Sequence, residues 1–355
     1  MSKRELMKGN TAIAEAAIRA GAEFFAGYPI TPSTEVLEHL AARMPEEGRV
    51  FIQAENELAA MNMVHGAYGT GHRAFTATSG PGLSLKQEAM SFAAAGEVPY
   101  VVILVNRYGR GVGALDGAQD AYFQVTRGGG QGDYRNIVYT PAAVQEAVED
   151  MYEAFDVAEK YRIAVYVMLD TILGQTMEPV EMPDYKTREI PLDWGVDGTN
   201  TKGLKVVKFA YDDNIRHWKE KIEKINEEMQ RWESYKTEDA EFVFVAFGLA
   251  GRVCFDAVDE LRARGEKVGC IRPKLIFPYP VKAFEELNKE LIKGFMTVEG
   301  SDMGQQVQDV ALSVKKVFDK NLPVYCYPYS RGEPEVANII AKYEAMKSGE
   351  LKEVY

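Results

Sequence analysis

The chain has 355 residues, an apolar content of 46% and a formal charge of −12. That is length enough for two domains with cores of their own, and the acidic balance argues against a nucleic-acid partner, which would favour a basic face. No stretch reaches the roughly 18 apolar residues of a membrane span, and the opening MSKRELMKGN lacks the apolar core of an export signal, so a cytoplasmic protein with no membrane partner is expected.

The three cysteines, Cys254, Cys270 and Cys326, form no Cys-x-x-Cys pair. An even disulfide framework is impossible, which suits a reducing compartment. An iron–sulfur cluster takes about four cysteine ligands, several of them close together, so this chain alone is not expected to hold one. The histidines (His39, His65, His72, His217) show no metal-ligand spacing, and no metal site is expected.

In chain order, residues 10–22 read as a helix with Asn10 as cap and a glycine stop. FFAGYPITP is a buried strand entering a proline-broken loop, and 33–43 a helix capped by Ser33. FIQAE is a strand, and a helix runs from Glu57 to Tyr68. RAFTATS is a strand closed by SGPG, followed by a helix over 83–94 and the apolar strand PYVVILVN. A glycine-rich stretch, 109–133, precedes strand IVYTP, helix 142–160 and strand AVYVMLD. This alternation predicts a parallel sheet covered by helices on both faces.

Beyond residue 178 the texture becomes rich in Pro, Gly and Asp, as in a linker. Residues 212–236 read as a charged helix with apolar positions at Ile215, Trp218, Ile222, Ile225, Met229 and Trp232. Such a stripe packs either on its own domain or on a partner chain. A second α/β unit then begins: strand EFVFVAFG, helix 250–264, strand KVGCIRP, helix 280–293, strand GFMTVEG, helix 303–318 and strand PVYCYPY. The expected fold is therefore two doubly wound α/β domains, 1–185 and 238–345, joined by a linker and helical arm over 186–237.

Four clusters could carry chemistry. Gly27-Tyr28-Pro29-Ile30-Thr31-Pro32-Ser33 follows a strand, at the end where open α/β sheets bind ligands. Its prolines stiffen the loop and would fix the Thr31 hydroxyl; a plain strand-to-helix turn is the alternative. In Gln53-Ala54-Glu55-Asn56-Glu57, the Glu57 carboxyl either caps its own helix or is held for a ligand nitrogen. Thr76-Ala77-Thr78-Ser79-Gly80-Pro81-Gly82 is a ligand-type loop at a helix start, without the Gly-Lys-Ser/Thr of a phosphate loop. After the strongest strand, Arg107 is either solvated or placed to grip a carboxylate with two N–H groups. Gly109-x-Gly111-x-x-Ala114 loosely fits a dinucleotide fingerprint, but it opens no clear helix and no acidic residue follows at the required distance.

GYPITPST, the Gln53–Met61 stretch, TATSGPGLSLKQE, Arg107 and AQDAYFQVTRGGGQGDYRNIVYTP, in this order, resemble the α subunit of 2-oxoacid:ferredoxin oxidoreductases over about residues 8–180. VAFGLAGR, IRPKLIFPYP and VEGSDMGQ extend the resemblance more weakly, and RGGGQGDYR is most similar to the branched-chain (2-oxoisovalerate) type. The resemblance implies a thiamin pyrimidine-binding domain followed by a transketolase C-terminal-like domain. It places Glu57 at the catalytic glutamate, with Glu55 as the nearby alternative, hydrogen-bonded to the pyrimidine N1′ and so promoting loss of the thiazolium C2 proton. It places Thr31 and Arg107 at the 2-oxoacid, Arg107 on its carboxylate, and Tyr28, Pro29, Ile30, Ser79 and Gly80 around the cofactor.

The Gly-Asp-Gly…Asn frame for magnesium and diphosphate is missing, since Asp116-Gly117 and Asp197-Gly198 lack it. The resemblance therefore implies thiamin diphosphate shared with a β subunit, and Mg2+ and [4Fe-4S] clusters on partner chains, including a γ subunit and a ferredoxin-like δ subunit. Coenzyme A is the implied acyl acceptor and ferredoxin the electron acceptor. The reaction expected is CoA-dependent oxidative decarboxylation of a branched-chain 2-oxoacid, with pyruvate, 2-oxoglutarate and aromatic 2-oxoacids as alternatives. A non-catalytic assembly subunit and a nicotinamide-dependent dehydrogenase are the readings of other classes.

Overall fold

The computed structural model describes residues 4–188, 195–196 and 211–355, the first four residues of the last span as backbone alone. Asp197-Gly198 and most of the expected linker lie outside the described residues.

The first unit is built from β1 (Glu5–Lys8), α1 (Gly9–Arg19), β2 (Phe24–Gly27), α2 (Thr34–Glu46), β3 (Val50–Gln53), α3 (Glu57–Gly69), β4 (Ala74–Thr78), α4 (Pro81–Ala95), β5 (Tyr100–Asn106), α5 (Tyr122–Thr126), β6 (Ile137–Tyr139), α6 (Val144–Tyr161), β7 (Ala164–Asp170), α7 (Thr171–Gln175) and β8 (Met177–Val180). After α8 (Tyr211–Glu228), the second comprises β9 (Trp232–Tyr235), β10 (Phe242–Val245), α9 (Gly248–Ala263), β11 (Val268–Pro273), β12 (Leu275–Phe277), α10 (Val281–Glu285), β13 (Gly294–Glu299), α11 (Gln306–Val317), β14 (Val324–Pro328) and α12 (Val336–Ser348).

The larger sheet has seven strands in the order β12-β6-β7-β5-β4-β2-β3, all parallel except β12, which runs antiparallel to β6. Every residue of β5 is buried, as a central strand with helices on both faces requires. The smaller sheet has five strands, β14-β13-β10-β11-β9, with β9 antiparallel to β11. Along β10 successive residues serve opposite faces. Val243 and Val245 join the core that includes Phe284 and Phe295, while Phe244 joins the core of Cys254, Leu261 and Tyr343.

Both units are α/β as expected, but several local expectations change. Asn10 is not the α1 cap. It lies inside the helix, buried, and its amide donates to the Pro32 carbonyl at 2.8 Å and to Glu35. Ser33 occupies the cap position of α2, yet its hydroxyl donates back to the Ile30 carbonyl at 2.8 Å. The arm helix ends at Glu228; Met229 lies past it, and Trp232 opens strand β9 of the second sheet. A 3–4 apolar spacing continued by chance into a half-buried strand, so the stripe looked longer than the helix. Ile225 is fully buried, and Trp218 and Ile222 lie against the first core, so α8 packs on its own chain. The helix expected over 280–293 is only α10. The strands β1, β8 and β12 and the helix α12 were not anticipated. All three cysteines are buried and free. Among the described residues no group of three His, Cys, Asp or Glu could hold a metal, and no helix is long and apolar enough to cross a membrane.

Candidate active site

β3, β2, β4 and β5 lie side by side and parallel in the large sheet, so the segments leaving their carboxyl ends gather at one edge. Those segments carry Glu57, Tyr28–Ser33, Ser79–Gly82 and Arg107.

Glu57 is the first residue of α3 and only 4% exposed. It does not cap its helix. Asn56 does, its Oδ1 accepting the Ala59 amide at 2.8 Å. The Glu57 carboxylate therefore takes no hydrogen bond among the described residues. It lies against α4, where a Cβ added to Gly82 would come within 2.6 Å of its Oε1. Glycine at 82 thus makes room for the carboxyl. Glu55, the alternative glutamate, is exposed on the preceding turn.

Arg107 follows β5 and is 8% exposed. Its Nη1 donates to the Thr31 carbonyl at 2.7 Å and its Nη2 to the Val112 carbonyl at 2.7 Å, while the buried Nε has no partner. Burial pulls its pKa below the ordinary guanidinium value. The contact brings Thr31 and Arg107 together, through the Thr31 backbone rather than its hydroxyl. Gly80 is left-handed at φ +45°, and a Cβ there would meet Arg107 Nε at 2.7 Å. Ser79 is buried, Thr31 and Tyr28 are exposed, and Pro29 and Ile30 are half-buried. The Thr78 and Ser79 hydroxyls, like Arg107 Nε, are buried without a partner. Several orphaned polar atoms beside a carboxylate with no bond of its own are what a polar ligand would satisfy. The donor set fits an aminopyrimidine, which needs one carboxyl at its ring nitrogen.

A cleft of about 640 Å³ opens between the two units, lined by Gly80, Arg107, Arg110, Phe123, Asp302 and Gln305 among others. The second unit closes it: Tyr108 Oη donates to Asp302 at 2.9 Å, and Arg110 pairs with Asp302 at 3.0 Å. Arg127 grips both oxygens of Asp309 at 2.9 and 3.0 Å. Asp120 in this cleft accepts the Gly109 amide at 2.8 Å, and burial raises its pKa. Gly109, Gly111 and Gly113 have positive φ in a loop that opens no helix, so the loose dinucleotide pattern has no structural counterpart.

Sequence reasoning placed Gly82 in a ligand-type loop without giving it a role of its own, and it missed Lys86. Lys86 is fully buried on α4, and its Nζ donates to the Glu57 carbonyl at 3.2 Å and to Thr76 Oγ1 at 3.1 Å. The signal was available, since 83, 86, 87 and 90 are one helix face and the other members include Leu83 and Met90.

The family model for the thiamine diphosphate-binding domain of pyruvate flavodoxin/ferredoxin oxidoreductase matches residues 15–231, and that for pyruvate:ferredoxin oxidoreductase core domain II matches 240–332. The ketoisovalerate oxidoreductase subunit VorB of Methanothermobacter marburgensis is 42% identical over 319 residues, covering 87% of this chain and 89% of its own. The 2-oxoglutarate synthase subunit KorA of Methanocaldococcus jannaschii is 37% identical over 344 residues, covering 88% and 93%. The pyruvate synthase subunit PorA of Pyrococcus horikoshii is 31% identical over 333 residues, covering 83% and 81%. Among solved structures, a 2-oxoglutarate:ferredoxin oxidoreductase from Magnetococcus marinus shares the fold with a TM-score of 0.83 at 23% identity over 97% of this chain, which spans 65% of that longer one. A split-gene transketolase is more distant, with a TM-score of 0.57 at 13% identity, covering 95% of this chain and 93% of its own. A model that matches more than half of the chain, and relatives this similar over most of their length, make it a member of the pyruvate flavodoxin/ferredoxin oxidoreductase family, the thiamin-dependent 2-oxoacid oxidoreductases.

Proposed function

We propose that this chain is the subunit of a CoA-dependent 2-oxoacid:ferredoxin oxidoreductase that covers the pyrimidine end of thiamin diphosphate and holds part of the 2-oxoacid. The reading is carried by Glu57: a carboxylate 4% exposed, relieved of capping by Asn56 and seated on a glycine. When bound, the cofactor supplies the acidic thiazolium carbon and the electron sink for loss of CO2. Glu57 holds a proton at the pyrimidine ring nitrogen. Tyr28, Pro29, Ile30, Ser79 and Gly80 would line the side on which the cofactor is held. Arg107 offers the N–H groups not spent on Thr31 and Val112 to the substrate carboxylate, and the Thr31 hydroxyl donates beside it.

The favoured substrate is a branched-chain 2-oxoacid. The ketoisovalerate subunits at 42% identity support it over the 2-oxoglutarate relative at 37% and the pyruvate relative at 31%. The diphosphate, Mg2+ and [4Fe-4S] clusters fall to partner subunits, a β chain, a γ chain and a ferredoxin-like δ chain, because this chain offers only three cysteines, all buried, and no Gly-Asp-Gly…Asn frame. Free thiols also suit a cytoplasmic setting, where ferredoxin accepts the electrons.

The test is Glu57→Gln in the co-purified complex, assayed with a panel of 2-oxoacids, CoA and a viologen dye. Turnover should fall by roughly 10²–10⁴-fold while the complex still assembles. Unchanged turnover would remove Glu57 from the chemistry.

A further inference from the structure

Among the buried ionisable groups that the mechanism leaves unused, Lys86 is the one that touches the candidate catalytic residue. Lys86 has no exposed surface, yet it places a potential positive charge directly behind α3. Its ammonium can donate three hydrogen bonds and makes two, to the Glu57 carbonyl and to Thr76 Oγ1. No carboxylate pairs with it at ion-pair distance among the described residues. Gly82 and Lys86 are four apart on α4, so one helix face supports Glu57 twice, with Gly82 under the carboxyl and Lys86 under the main chain. A hydrophobic side chain would fill this space without the cost of burying an ammonium, so stability alone does not explain a lysine here.

We propose that Lys86 is a positioning residue for Glu57, fixing the first turn of α3 and setting the charge behind the carboxyl through its own proton. The proposal rests on the reading of Glu57 given above. Titratable groups on the neighbouring elements are Glu57, His65 and Tyr68 from α3, Tyr100 from β5, and Tyr166 and the terminal Asp170 from β7, the last raised by burial to about 6; β4 offers only the hydroxyls of Thr76 and Thr78. Of these, Glu57 is the one whose charge acts on Lys86, and it favours the ammonium. Burial outweighs it and pushes Lys86 down to about 7 from 10.5. The charge behind Glu57 therefore changes near neutral pH.

Below about 7 Lys86 is protonated both folded and unfolded, and the cost of burying the charge is fully present. Between about 7 and 10.5 the unfolded chain keeps the proton and the folded chain does not, so stability rises with pH.

The experiment compares wild type, Lys86→Met, Lys86→Gln and Glu57→Gln in the purified complex, reading the melting temperature of this subunit across pH 6–10 and the pH profile of kcat. In wild type the melting temperature should climb above neutral pH and kcat should show an ionisation near 7. Both features should vanish in Lys86→Met, with Lys86→Gln behaving alike while keeping a donor to the α3 backbone. Glu57→Gln should move the onset of the climb to lower pH, because the charge favouring the ammonium is gone. An unchanged melting slope or kcat ionisation in the Lys86 variants overturns the proposal, and so does failure of both to assemble, which would make Lys86 a folding residue. Full turnover in Glu57→Gln would instead sink the functional reading while leaving the Lys86 slope intact, so the two failures are separable.

Discussion

Asn56 Oδ1 accepts the Ala59 amide at 2.8 Å, and this frees its neighbour Glu57 from its own helix terminus. An acidic residue at the first position of a helix ordinarily interacts with the terminal N–H groups. Here the residue before it takes that duty, so Glu57 can be spared for a ligand. Asn56→Ala should lower stability by about 1 kcal/mol, the usual worth of such a cap, read as a lower melting temperature of the complex. It should also reduce turnover, since the vacated N–H groups then compete for the Glu57 carboxylate. A variant with full turnover would show that the division of labour has no functional consequence.

Gly82→Ala tests the seat of the same carboxyl from the other side. The added methyl would clash with Thr78 Oγ1 and lie 2.6 Å from Glu57 Oε1, closer than real Cβ contacts come, so the Thr78 hydroxyl and the carboxyl must both give way. The φ of Gly82 is helical, so no backbone strain confuses the result. A displacement near 1 Å should lower kcat by about 100-fold, with the complex intact. Wild-type kcat would show that the carboxyl is not held where chemistry needs it.

Arg107→Ala separates recognition from chemistry. One lost charge-assisted pair should cost about 2–3 kcal/mol, seen as a roughly 30–150-fold rise in KM for the 2-oxoacid. KM for CoA should hold. Arg107→Lys should not rescue, because a single ammonium cannot reproduce a planar fork that spans the Thr31 and Val112 carbonyls. An equal rise in both KM values would instead mark Arg107 as a clamp between two loops and nothing more.

How much of this could be read beforehand depends on which force decides each element. The strands β5 and β7 were legible because they are nearly continuous apolar runs, and β4 because its phenylalanine and threonines are strand formers closed by Ser-Gly-Pro-Gly. α3 was legible from its start at Glu57. The site segments were legible because prolines and glycines mark strand ends. Asn10 was misread because a helix-start asparagine resembles a cap, whereas here its amide is drawn to the Pro32 carbonyl by packing of a loop distant in sequence. β12 was illegible for a similar reason. Three residues, Leu275–Phe277, leave the second unit to pair antiparallel with β6 of the first, and no local pattern encodes such a long-range partner. Arg107 follows β5 as its place after the apolar strand suggested, but its two bonds to main-chain carbonyls could not be anticipated, because acceptors on other loops become visible only once the loops are folded.

The joint between α1 and α2, which supports the Tyr28–Ser33 loop, yields a prediction about acid. Glu15 is 5% exposed, and its carboxylate meets His39 Nε2 and Arg19 Nε, each at 3.0 Å, and Arg43 Nε at 3.4 Å. His39, then Arg19 and Arg43, hold its pKa at about 2 against the opposing effect of burial. A carboxyl whose folded-state value is depressed adds stability above its unfolded value near 4.5, and that contribution is lost as pH falls toward about 2. Glu15→Gln should therefore be less stable than wild type at pH 7, by on the order of 2–3 kcal/mol. The deficit should shrink steadily below pH 4.5 as wild type takes up the proton that glutamine never needed. Melting curves of the two complexes at several pH values check this directly. A gap that stays constant down to pH 3 would mean that shape, and not charge, holds α1 to α2.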